Sequence, residues 1–506
     1  MKKKKHFKKT AKKKAARKPV KKAIRKIAKK NVSPEAPQSE IKFGTDGWRA
    51  VISDTFTFKN VGIVAQAISE WLNRDIRKKA GSPKRISVGY DTRFLSKEYA
   101  RTVSSVLAAN GIEVFLSDSA IPTPSLSFGV PKNGCLAGVM ITASHNPAYF
   151  NGIKIKTAQG GGASSDITGA VEDYLYKTEV KALDFNEAVQ EKKIIIFNFK
   201  NDWLNFIKNY LDLKAMKNAR FKILTDIMHG SGNGFMREIL RGTKVQLSLM
   251  RDDVNPSFDG GKPEPVVEFL GGILSRMKKE KFDLGLVLDG DADRIAAVAP
   301  GGEFVHPQKI LGLLILHLVR NRGRKGGVVK TICGTTMIDK IAAKLGLKLF
   351  ETPVGFKYIS DLMVSENIVA GGEEAGGIGL QDYIPERDGT LVGLLLLEMM
   401  VYQKKNIKKI VREMEKEFGH YYYERADLKS KEPFELDKLK SLKRIMGKKI
   451  VDIKDFDGVK LICEDESWVM WRPSGTEPLV RIYAEATSAS RAKKLIKFGE
   501  SLAKKR

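Results

Sequence analysis

Residues Thr142–Pro147 combine hydroxyl, imidazole and amide groups within six positions, directly after the apolar run Leu136–Ile141. The length and β-branched content of the run predict a buried strand, and the polar hexapeptide would be the loop at its end. A serine hydroxyl such as that of Ser144 is a weak nucleophile until a neighbour activates it, and His145 and Lys154 are candidates. The alternative is a turn whose hydroxyl only caps the backbone.

Three aspartates at alternate positions, Asp289, Asp291 and Asp293, follow a second apolar run, Leu284–Leu288. Their carboxylates can converge on one cation, and oxygen ligands of this kind suit Mg²⁺. An EF-hand is excluded by spacing, since its bidentate Glu position would fall on Pro300. A solvated acidic turn is a poor alternative because the preceding strand is apolar, so the pattern predicts a metal site.

A glycine-dense stretch, Gly371–Gly379, contains two adjacent carboxylates, Glu373 and Glu374. Glycine lets the backbone approach a ligand closely, and carboxylates can accept hydrogen bonds from sugar hydroxyls. A flexible hairpin without a ligand is an equal alternative. Nearby, Lys357 follows a predicted tight turn and is a candidate general acid or base, although most lysines are merely solvated.

The stretch Arg472–Arg481 holds two arginines, two hydroxyls and a glycine within ten residues. Such a group can form an anion cradle that binds phosphate through N–H groups and guanidinium forks. A hydroxyl nucleophile, a divalent-metal loop, a polyol-binding loop and a phosphate cradle together predict phosphoryl transfer on a phosphorylated sugar.

The elements that would position these groups alternate between strands and helices, which predicts α/β domains with parallel or mixed sheets. A strand with a Gly44–Gly47 loop inside it is expected over 41–52, and another over 85–90. A helix, a glycine and a strand recur in three stretches, which suggests three related α/β units: 103–117, 236–250 and 338–352. After about residue 418, short strands near 458–463, 467–471 and 480–486 and a last helix predict a smaller α+β domain.

Composition limits the class of protein. A hydrophobic content of 42% with 29% charged residues fits a globular chain of several domains. The longest apolar run, Leu391–Met400, is too short for a membrane span. Cys135, Cys333 and Cys463 are far apart and read as reduced core thiols, so a cytoplasmic location is expected.

The net charge of +30 is concentrated at one end. Residues 1–30 contain 17 Lys and Arg residues and no acidic residue. Self-repulsion predicts a disordered tail, which could bind nucleic acid or an anionic surface nonspecifically, or simply be solvated. No apolar segment follows the charges, so the tail is not a signal peptide.

Taken together, these motifs resemble the α-D-phosphohexomutases, the family of phosphoglucomutase and phosphomannomutase. The resemblance covers about residues 41–490 and rests on four motifs in order, with two further elements at 43–49 and 89–93. The four motifs are Thr142–Pro147, Asp289–Arg294, Gly372–Gly377 and Arg472–Pro478. It implies four domains around a central cleft, with the last one mobile, which we place after a tail and linker at 1–40. The expected bounds are 41–185, 186–303, 304–418 and 419–506.

The resemblance also implies a mechanism. Ser144 would carry a phosphoryl group and pass it to a hexose 1- or 6-phosphate, which gives a hexose bisphosphate that also acts as activator. One Mg²⁺ per chain would be held by a phosphoserine oxygen at Ser144 and by Asp289, Asp291 and Asp293, and Arg294 would contact the phosphoserine.

Further residues are expected around the sugar phosphate. Arg49, Lys154, Lys357 and His145 are candidates for proton transfer and charge stabilisation, and His145 could instead only shape its loop. The sugar would meet Glu373 and Ala375. The residues expected to hold the non-reacting phosphate are Arg472, Ser474, Gly475, Thr476 and Arg481.

One position departs from the family pattern. The sugar loop commonly reads Gly-Glu-x-Ser, and Ala375 replaces that serine, so one hydroxyl contact is missing. Gly376-Gly377 and Phe356-Lys357 favour glucose, with mannose next. The alternatives are a phosphoglucosamine mutase, a metal-dependent sugar-phosphate phosphatase and, from another class, an inactive scaffold or nucleic-acid-binding protein led by the basic tail.

Overall fold

A computed structural model describes residues 41–44, 46–76, 84–429, 434–473 and 479–504. The predicted tail and linker at 1–40 lie outside the described residues, as do three predicted phosphate-binding residues, Ser474, Gly475 and Thr476. The described residues form four sheets. Three of them are mixed and the last is antiparallel, so the predicted fold class is confirmed.

The first sheet is six-stranded, with spatial order β1-β5-β4-β2-β3-β6. Its strands are β1 (Trp48–Val51), β2 (Arg85–Tyr90), β3 (Glu113–Ser117), β4 (Ala137–Ile141), β5 (Phe150–Lys156) and β6 (Ile194–Phe197). The prediction for 85–90 is confirmed, whereas the strand expected over 41–52 is limited to β1. The reason is Gly47: its φ of +102° turns the chain, and a Cβ there would lie 2.3 Å from the Ile153 carbonyl oxygen. Because β6 pairs with β3, we propose that the first domain extends past residue 185.

The second and third sheets repeat part of this plan. The second has spatial order β11-β10-β9-β7-β8, and the third β13-β12-β14-β15. Strands of the second are β7 (Lys222–Asp226), β8 (Gln246–Met250), β9 (Leu284–Leu288), β10 (Ile295–Ala299) and β11 (Glu303–Val305). Those of the third are β12 (Gly327–Thr331), β13 (Leu349–Thr352), β14 (Ile368–Gly372) and β15 (Ile378–Leu380).

The internal repeat predicted from the sequence corresponds to equivalent parts of these sheets. Each repeat supplies a helix followed by a strand that pairs in parallel with its neighbour: β3 with β2, β8 with β7, and β13 with β12. Each sheet also has an antiparallel pair of consecutive strands, β4–β5, β9–β10 or β14–β15, and the loop that joins this pair carries one chemical motif. The same turn of each unit therefore presents Ser144, the aspartates or Glu373.

Helices cover the sheets. The longer ones lie at Phe58–Trp71, Ser96–Ala109, Thr123–Lys132, Ser165–Asp173, Lys200–Tyr210, Gly271–Lys279, Pro307–Leu316, Thr336–Leu345, Phe356–Ser365, Gly389–Gln403, Ile407–Phe418 and Ala489–Lys504. Shorter ones lie at Phe185–Gln190, Leu213–Met216, Phe235–Ile239 and Asp437–Lys440. Short 3₁₀ and π-helical turns occur at Phe258–Gly260, Val267–Phe269, Leu72–Ile76 and His317–Asn321.

One buried helix joins the second and third sheets. Residues 389–400 of Gly389–Gln403 are all buried, because this helix is apolar on every side and packs within a core shared by both sheets. No helix among the described residues has the length and apolar content to cross a membrane. The three cysteines are buried free thiols.

The fourth sheet is antiparallel, with order β16-β21-β20-β19-β18-β17 and its own core. Its strands are β16 (Tyr422–Lys429), β17 (Arg444–Ile445), β18 (Lys448–Lys454), β19 (Val459–Cys463), β20 (Trp468–Pro473) and β21 (Leu479–Ala486). It contacts the third sheet through an apolar cluster that includes Cys333, Trp468 and Tyr483. The Lys460 ammonium donates a 2.7 Å hydrogen bond to the Ile332 carbonyl across this contact.

Candidate active site

The loop Thr142–Pro147, called the Ser144 loop below, is held in shape by a single arginine. Arg93 is buried, and its guanidinium donates hydrogen bonds to four carbonyl oxygens of this region. The acceptors are Ser144 and Asn146, both at 2.6 Å, Pro147 at 2.9 Å and Phe150 at 3.1 Å. The Ser144 and Asn146 carbonyls lie in a loop without regular secondary structure, and these bonds satisfy them as acceptors.

The backbone of the loop is strained at Ser144, whose φ is +52°. Its N–H donates to the Thr142 hydroxyl oxygen at 2.9 Å, and the Thr142 hydroxyl donates to Asp91 at 2.6 Å. Asp91 also accepts from the Ser96 hydroxyl at 2.8 Å. This network fixes an unfavourable conformation that directs the Ser144 side chain toward the next loop.

Ser144 is in direct contact with the aspartate loop, residues Asp289–Arg294. Ser144 is 1% exposed, and its hydroxyl donates to Asp289 Oδ2 at 2.9 Å. The two loops can approach this closely because residue 290 is glycine: a Cβ there would lie 2.5 Å from the Ser144 carbonyl oxygen. His145 Nδ1 lies 3.3 Å from Ser144 Oγ. Burial, followed by the charges of Arg294 and Arg49, lowers the pKa of His145 well below its ordinary value.

The three aspartates form a buried cluster that fits a divalent cation. One carboxylate oxygen from each of Asp289, Asp291 and Asp293 lies within 4.8 Å of the other two. Asp291 Oδ1 and Asp293 Oδ1 are buried and accept no hydrogen bond from the described residues. Burial, then repulsion from Asp293 and Asp291, raises the pKa of Asp289 well above its ordinary value. Buried oxygens that lack a hydrogen bond and the mutual repulsion of the carboxylates are both relieved by a metal ion.

Two cations form ion pairs with the Oδ2 atoms of Asp291 and Asp293. Lys154 Nζ lies 2.9 Å from Asp46, Asp291 and Asp293. Burial alone lowers the pKa of Lys154, but Asp291, Asp293 and Asp46 together outweigh it and raise the pKa above the ordinary lysine value. The Thr123 hydroxyl donates to Asp291 Oδ2 at 2.6 Å. The Oδ2 atoms of Asp291 and Asp293 are therefore engaged by protein, and their Oδ1 atoms are left for an ion.

The second cation, Arg387, joins three parts of the site. Its guanidinium lies 2.7 Å from Asp293, 3.0 Å from Asp46 and 3.2 Å from Glu373. It therefore links the aspartate loop to the turn between β14 and β15, residues Glu373–Gly377, which we call the Glu373 turn. Backbone pairing between Arg294 and Gly377 supports the same contact.

A cavity of about 890 Å³ opens beside these loops and is lined by residues from all four sheet units. Its size suits a small phosphorylated ligand. Among the described residues that line it, cationic side chains outnumber acidic ones, as phosphate binding requires. The cationic residues are Lys42, Arg49, Lys262, Arg294, Lys357, Arg387, Arg425, Arg472 and Arg481.

The residues predicted around the nucleophile meet at this cavity. Arg49 lines it and donates to the Asn146 side chain at 2.8 Å. His145 and Arg294 also line it. Lys357, near the start of the helix Phe356–Ser365, reaches the cavity from the third unit, and its ammonium donates to the Ser165 hydroxyl. Lys154 is almost fully buried behind this wall.

The residues predicted to contact sugar and distal phosphate line the cavity from the other side. Glu373, Ala375, Arg472 and Arg481 all face it. Arg472 is anchored by Asp457, whose two oxygens lie 2.8 Å and 2.9 Å from its Nε. The remaining members of the predicted cradle are the three residues outside the described part of the chain.

Sequence reasoning missed several residues of the site. Asp46, Thr123 and Arg387 contact the aspartate cluster, and Arg425 and Asp427 of β16 line the cavity. One signal could have found Arg387. It belongs to the charged triplet 386–388, which stands directly before the apolar run of the buried helix Gly389–Gln403, where charge without a partner is costly.

Comparison with family models gives matches over most of the chain. The family is phosphoglucomutase/phosphomannomutase, and four of its domain models match in order. Alpha/beta/alpha domain I matches residues 40–181, domain II 201–302, domain III 306–418 and the C-terminal domain 425–498.

Individual proteins of this kind are similar over nearly their whole length. A "Phosphoglucomutase/phosphomannomutase" of Thermococcus kodakarensis is 29% identical over 463 residues, covering 91% of this chain and 98% of the relative. A "Probable phosphoglucosamine mutase" of Pyrococcus abyssi is 30% identical over 468 residues, covering 91% and 97%. The crystal structure of a Thermus thermophilus protein has a TM-score of 0.80 at 33% identity, covering 92% of this chain and 99% of that one.

Proposed function

The chain belongs to the phosphoglucomutase/phosphomannomutase family of phosphohexomutases, which are intramolecular phosphotransferases, and we propose that it interconverts hexose 1-phosphates and hexose 6-phosphates, with glucose preferred and mannose next. One observation carries the proposal: the buried Ser144 hydroxyl lies 2.9 Å from Asp289, within a metal-type carboxylate cluster at the edge of a cationic cavity. A nucleophile, a charge-stabilising cluster and anion-binding groups are the parts that phosphoryl transfer needs.

Ser144 carries the transferable phosphoryl group in this proposal. It passes the group to the free hydroxyl of a hexose 1-phosphate: the phosphorus–Oγ bond breaks, a bond to the sugar oxygen forms, and the hydroxyl proton passes to a base. The bisphosphate turns over in the cavity, the bond between phosphorus and the sugar oxygen at position 1 breaks, and that phosphoryl group bonds to Ser144 Oγ. The base returns its proton to the sugar oxygen, which leaves hexose 6-phosphate. Free bisphosphate acts as activator because it rephosphorylates Ser144 after accidental hydrolysis.

The proposed metal is Mg²⁺, one per chain, held by Asp289, Asp291, Asp293 and a phosphoserine oxygen at Ser144. When bound, the ion supplies positive charge that stabilises the phosphoryl group in transit. Arg294, which lines the cavity beside the aspartates, contacts the same phosphate. The Oδ1 atoms of Asp291 and Asp293 accept no hydrogen bond from the described residues, which supports the metal assignment.

Four residues share proton transfer and charge stabilisation. His145 is our candidate for the base, since its lowered pKa keeps the imidazole neutral and its Nδ1 lies 3.3 Å from Ser144 Oγ. Lys154, held between three carboxylates, supplies positive charge instead. Arg49 and Lys357, at the cavity wall, neutralise phosphate charge.

The sugar and the distal phosphate bind on the opposite side of the cavity. Glu373 accepts hydrogen bonds from sugar hydroxyls, and Ala375 leaves one contact of the family pattern unmade. Arg472, Arg481 and the cradle residues Ser474, Gly475 and Thr476 hold the phosphate that does not react. Because the bisphosphate must turn over, cradle and nucleophile act on different ends of the same ligand.

A second candidate is a phosphoglucosamine mutase, which the name of the Pyrococcus abyssi relative favours. Phosphorus NMR tests both candidates with the protein, Mg²⁺, a trace of hexose bisphosphate and glucose, mannose or glucosamine 1-phosphate in turn. We expect 6-phosphate to accumulate fastest from glucose. A faster reaction with glucosamine 1-phosphate would favour the second candidate, and release of inorganic phosphate would indicate a phosphatase. Removing metal with a chelator should stop turnover, and Mg²⁺ should restore it.

For residues 1–30 we propose nonspecific binding of nucleic acid, supported by 17 basic residues without an acidic one. Gel shifts with RNA and DNA at rising salt would compare the full chain with one that starts at residue 31. We expect a salt-sensitive shift that the truncated chain lacks, while both chains keep equal mutase activity. A shift that persists after truncation would contradict the proposal, whereas a shift on anionic vesicles alone would assign the tail to membrane surfaces.

A further inference from the structure

The Glu373 turn holds two adjacent carboxylates in unlike surroundings. Glu373 forms an ion pair with Arg387 at 3.2 Å. Glu374 is only 8% exposed, yet within the described part of the chain it has no cation within 4.0 Å, and its hydrogen bond from the Thr331 hydroxyl is 3.3 Å long. A buried carboxylate whose donors, the Thr331 hydroxyl and the Cys333 thiol, are both weak and neutral is costly unless another partner completes it.

The neighbours of Glu374 do not supply that partner. Burial, then the charge of Glu374, raises the pKa of the Cys333 thiol well above its ordinary value, so Cys333 stays a weak neutral donor. Arg425 approaches from the fourth sheet, but its guanidinium is paired with Asp427 through two bonds of 2.8 Å. Glu374 itself lines the cavity, so its remaining acceptor sites are available to a ligand.

Ala375, the residue after Glu374, is the reason why a sugar would need the Glu374 carboxylate. Ala375 also lines the cavity and offers no polar side-chain atom to a sugar. We propose that Glu374 determines sugar specificity: its carboxylate accepts a hydrogen bond from one ring hydroxyl of the hexose phosphate, a contact that Ala375 cannot make. The inference rests on the proposed function and names the chemistry of the substrate at this position.

The hydrogen-bonding capacity of a carboxylate limits which sugar substituent can lie opposite Glu374. A hydroxyl both donates and accepts, whereas an ionised carboxylate only accepts. The ring substituent opposite Glu374 is therefore a donor, a hydroxyl or an ammonium, and an acylated amine whose carbonyl points to this side is rejected. A substrate that lacks the donor leaves the buried carboxylate unpaired, which is the situation in which a polar site discriminates most strongly.

The test combines one substitution with substrates that lack one hydroxyl each. The full-length protein and Glu374→Gln would be assayed with glucose 1-phosphate and its 2-, 3- and 4-deoxy analogues. For the full sugar we expect about a tenfold lower kcat/KM in the variant, mainly through KM, because a charge-assisted hydrogen bond becomes a neutral one. For one deoxy analogue we expect the two proteins to be equal, which identifies the hydroxyl that Glu374 binds.

Controls separate this contact from a general disturbance. Glu366→Gln removes a carboxylate at the surface of the same unit and should change no kcat/KM value. Equal losses with all four substrates, or no loss with any, would overturn the inference. If Glu374→Gln does not fold, the same assays would be made with Glu374→Asp and with the unmodified protein. Equal kcat/KM values of the unmodified protein for glucose 1-phosphate and all three deoxy analogues would overturn the inference too. Failure of the unmodified protein to convert any hexose phosphate would instead overturn the proposed function.

Discussion

Two regions at the same cavity differ in how their polar groups are held: the first lies behind the cavity lining, and the second forms part of it. We call the first the transfer wall: Ser144, Asp289, Asp291, Asp293 and the cation Lys154. Its groups are almost fully buried and joined across sheets by bonds of 2.9 Å. The second, the selection wall, comprises Glu374, Ala375, Arg425, Asp427 and Tyr483, and the donors to its buried carboxylate Glu374 among the described residues are weak and neutral.

The difference has a physical explanation. The phosphoryl group in transit needs the same charge stabilisation whichever sugar carries it. The groups of the transfer wall can therefore be held in place before the substrate binds. Specificity depends instead on groups that remain unpaired without the correct ligand. Substitutions in the transfer wall should therefore reduce turnover of every sugar alike, whereas substitutions in the selection wall should change the ranking of sugars.

The largest effect is expected for Ser144→Ala. Without the proposed phosphoryl carrier, kcat should fall by roughly 10⁴-fold or more for glucose, mannose and glucosamine 1-phosphates alike, as loss of a nucleophile does in other enzymes. Phosphorus NMR would measure turnover, and intact mass would show whether the variant takes up a phosphoryl group. The exposed Ser365→Ala should keep full activity. Unchanged turnover by Ser144→Ala would show that another group carries the phosphoryl.

Arg93→Lys should give the next largest effect, because a lysine keeps the charge but not the planar fork that reaches four carbonyls. We expect kcat to fall about 10²-fold for all sugars with little change in KM, since the Ser144 loop loses its shape and the hydroxyl its position. Steady-state kinetics with each sugar would measure this. Arg101→Lys, at an exposed position, is the matched control, and a rise in KM at constant kcat would show that Arg93 affects substrate binding instead.

The selection wall depends on how the fourth sheet meets the third, and Lys460 lies in that contact. It is 2% exposed, donates to the Ile332 carbonyl and lies 3.9 Å from the centre of the Trp468 ring. Burial, then the charge of Lys330, lowers its pKa to about 7, although nearby carboxylates partly oppose this. The charged groups that face it are Lys330, Glu351, Lys454 and Glu485.

The direction in which the free energy of unfolding changes with pH follows from the number of protons that Lys460 binds in each state. Between about pH 7 and 10 the unfolded chain, with an ordinary lysine, binds more protons than the folded one, so stability rises with pH. This group should contribute a slope of up to about 1.4 kcal/mol per pH unit in that window and none below it. Lys460→Met should remove the slope. Denaturant unfolding followed by tryptophan fluorescence would compare the two proteins from pH 6 to 10, and parallel stability curves would refute the assignment.

The residues of the transfer wall and the arginines that support its loops differ in how far the sequence predicts them. Ser144 and the three aspartates could be found because each follows an apolar strand directly, so local pattern and chemistry coincide. Arg93 was noticed only as part of a family element, and its four acceptors depend on the loop's conformation. Arg387 was missed because its partners, Asp46 and Asp293, lie 341 and 94 positions away in the chain. Long-range pairing of this kind leaves no periodic signal in a sequence.

The smallest effect is expected for Ala375→Ser, and it bears directly on the selection wall. A new hydroxyl there would add one neutral hydrogen bond to the sugar, which changes kcat/KM less than about tenfold. If Glu374 makes the contact that Ala375 lacks, the serine should help little in the unmodified protein but should recover much of the loss in Glu374→Gln. The double variant and both single variants, assayed with glucose 1-phosphate, give the coupling between the two positions. Additive effects would mean that residues 374 and 375 meet different groups of the sugar, so Glu374 could not be the substitute for the missing hydroxyl.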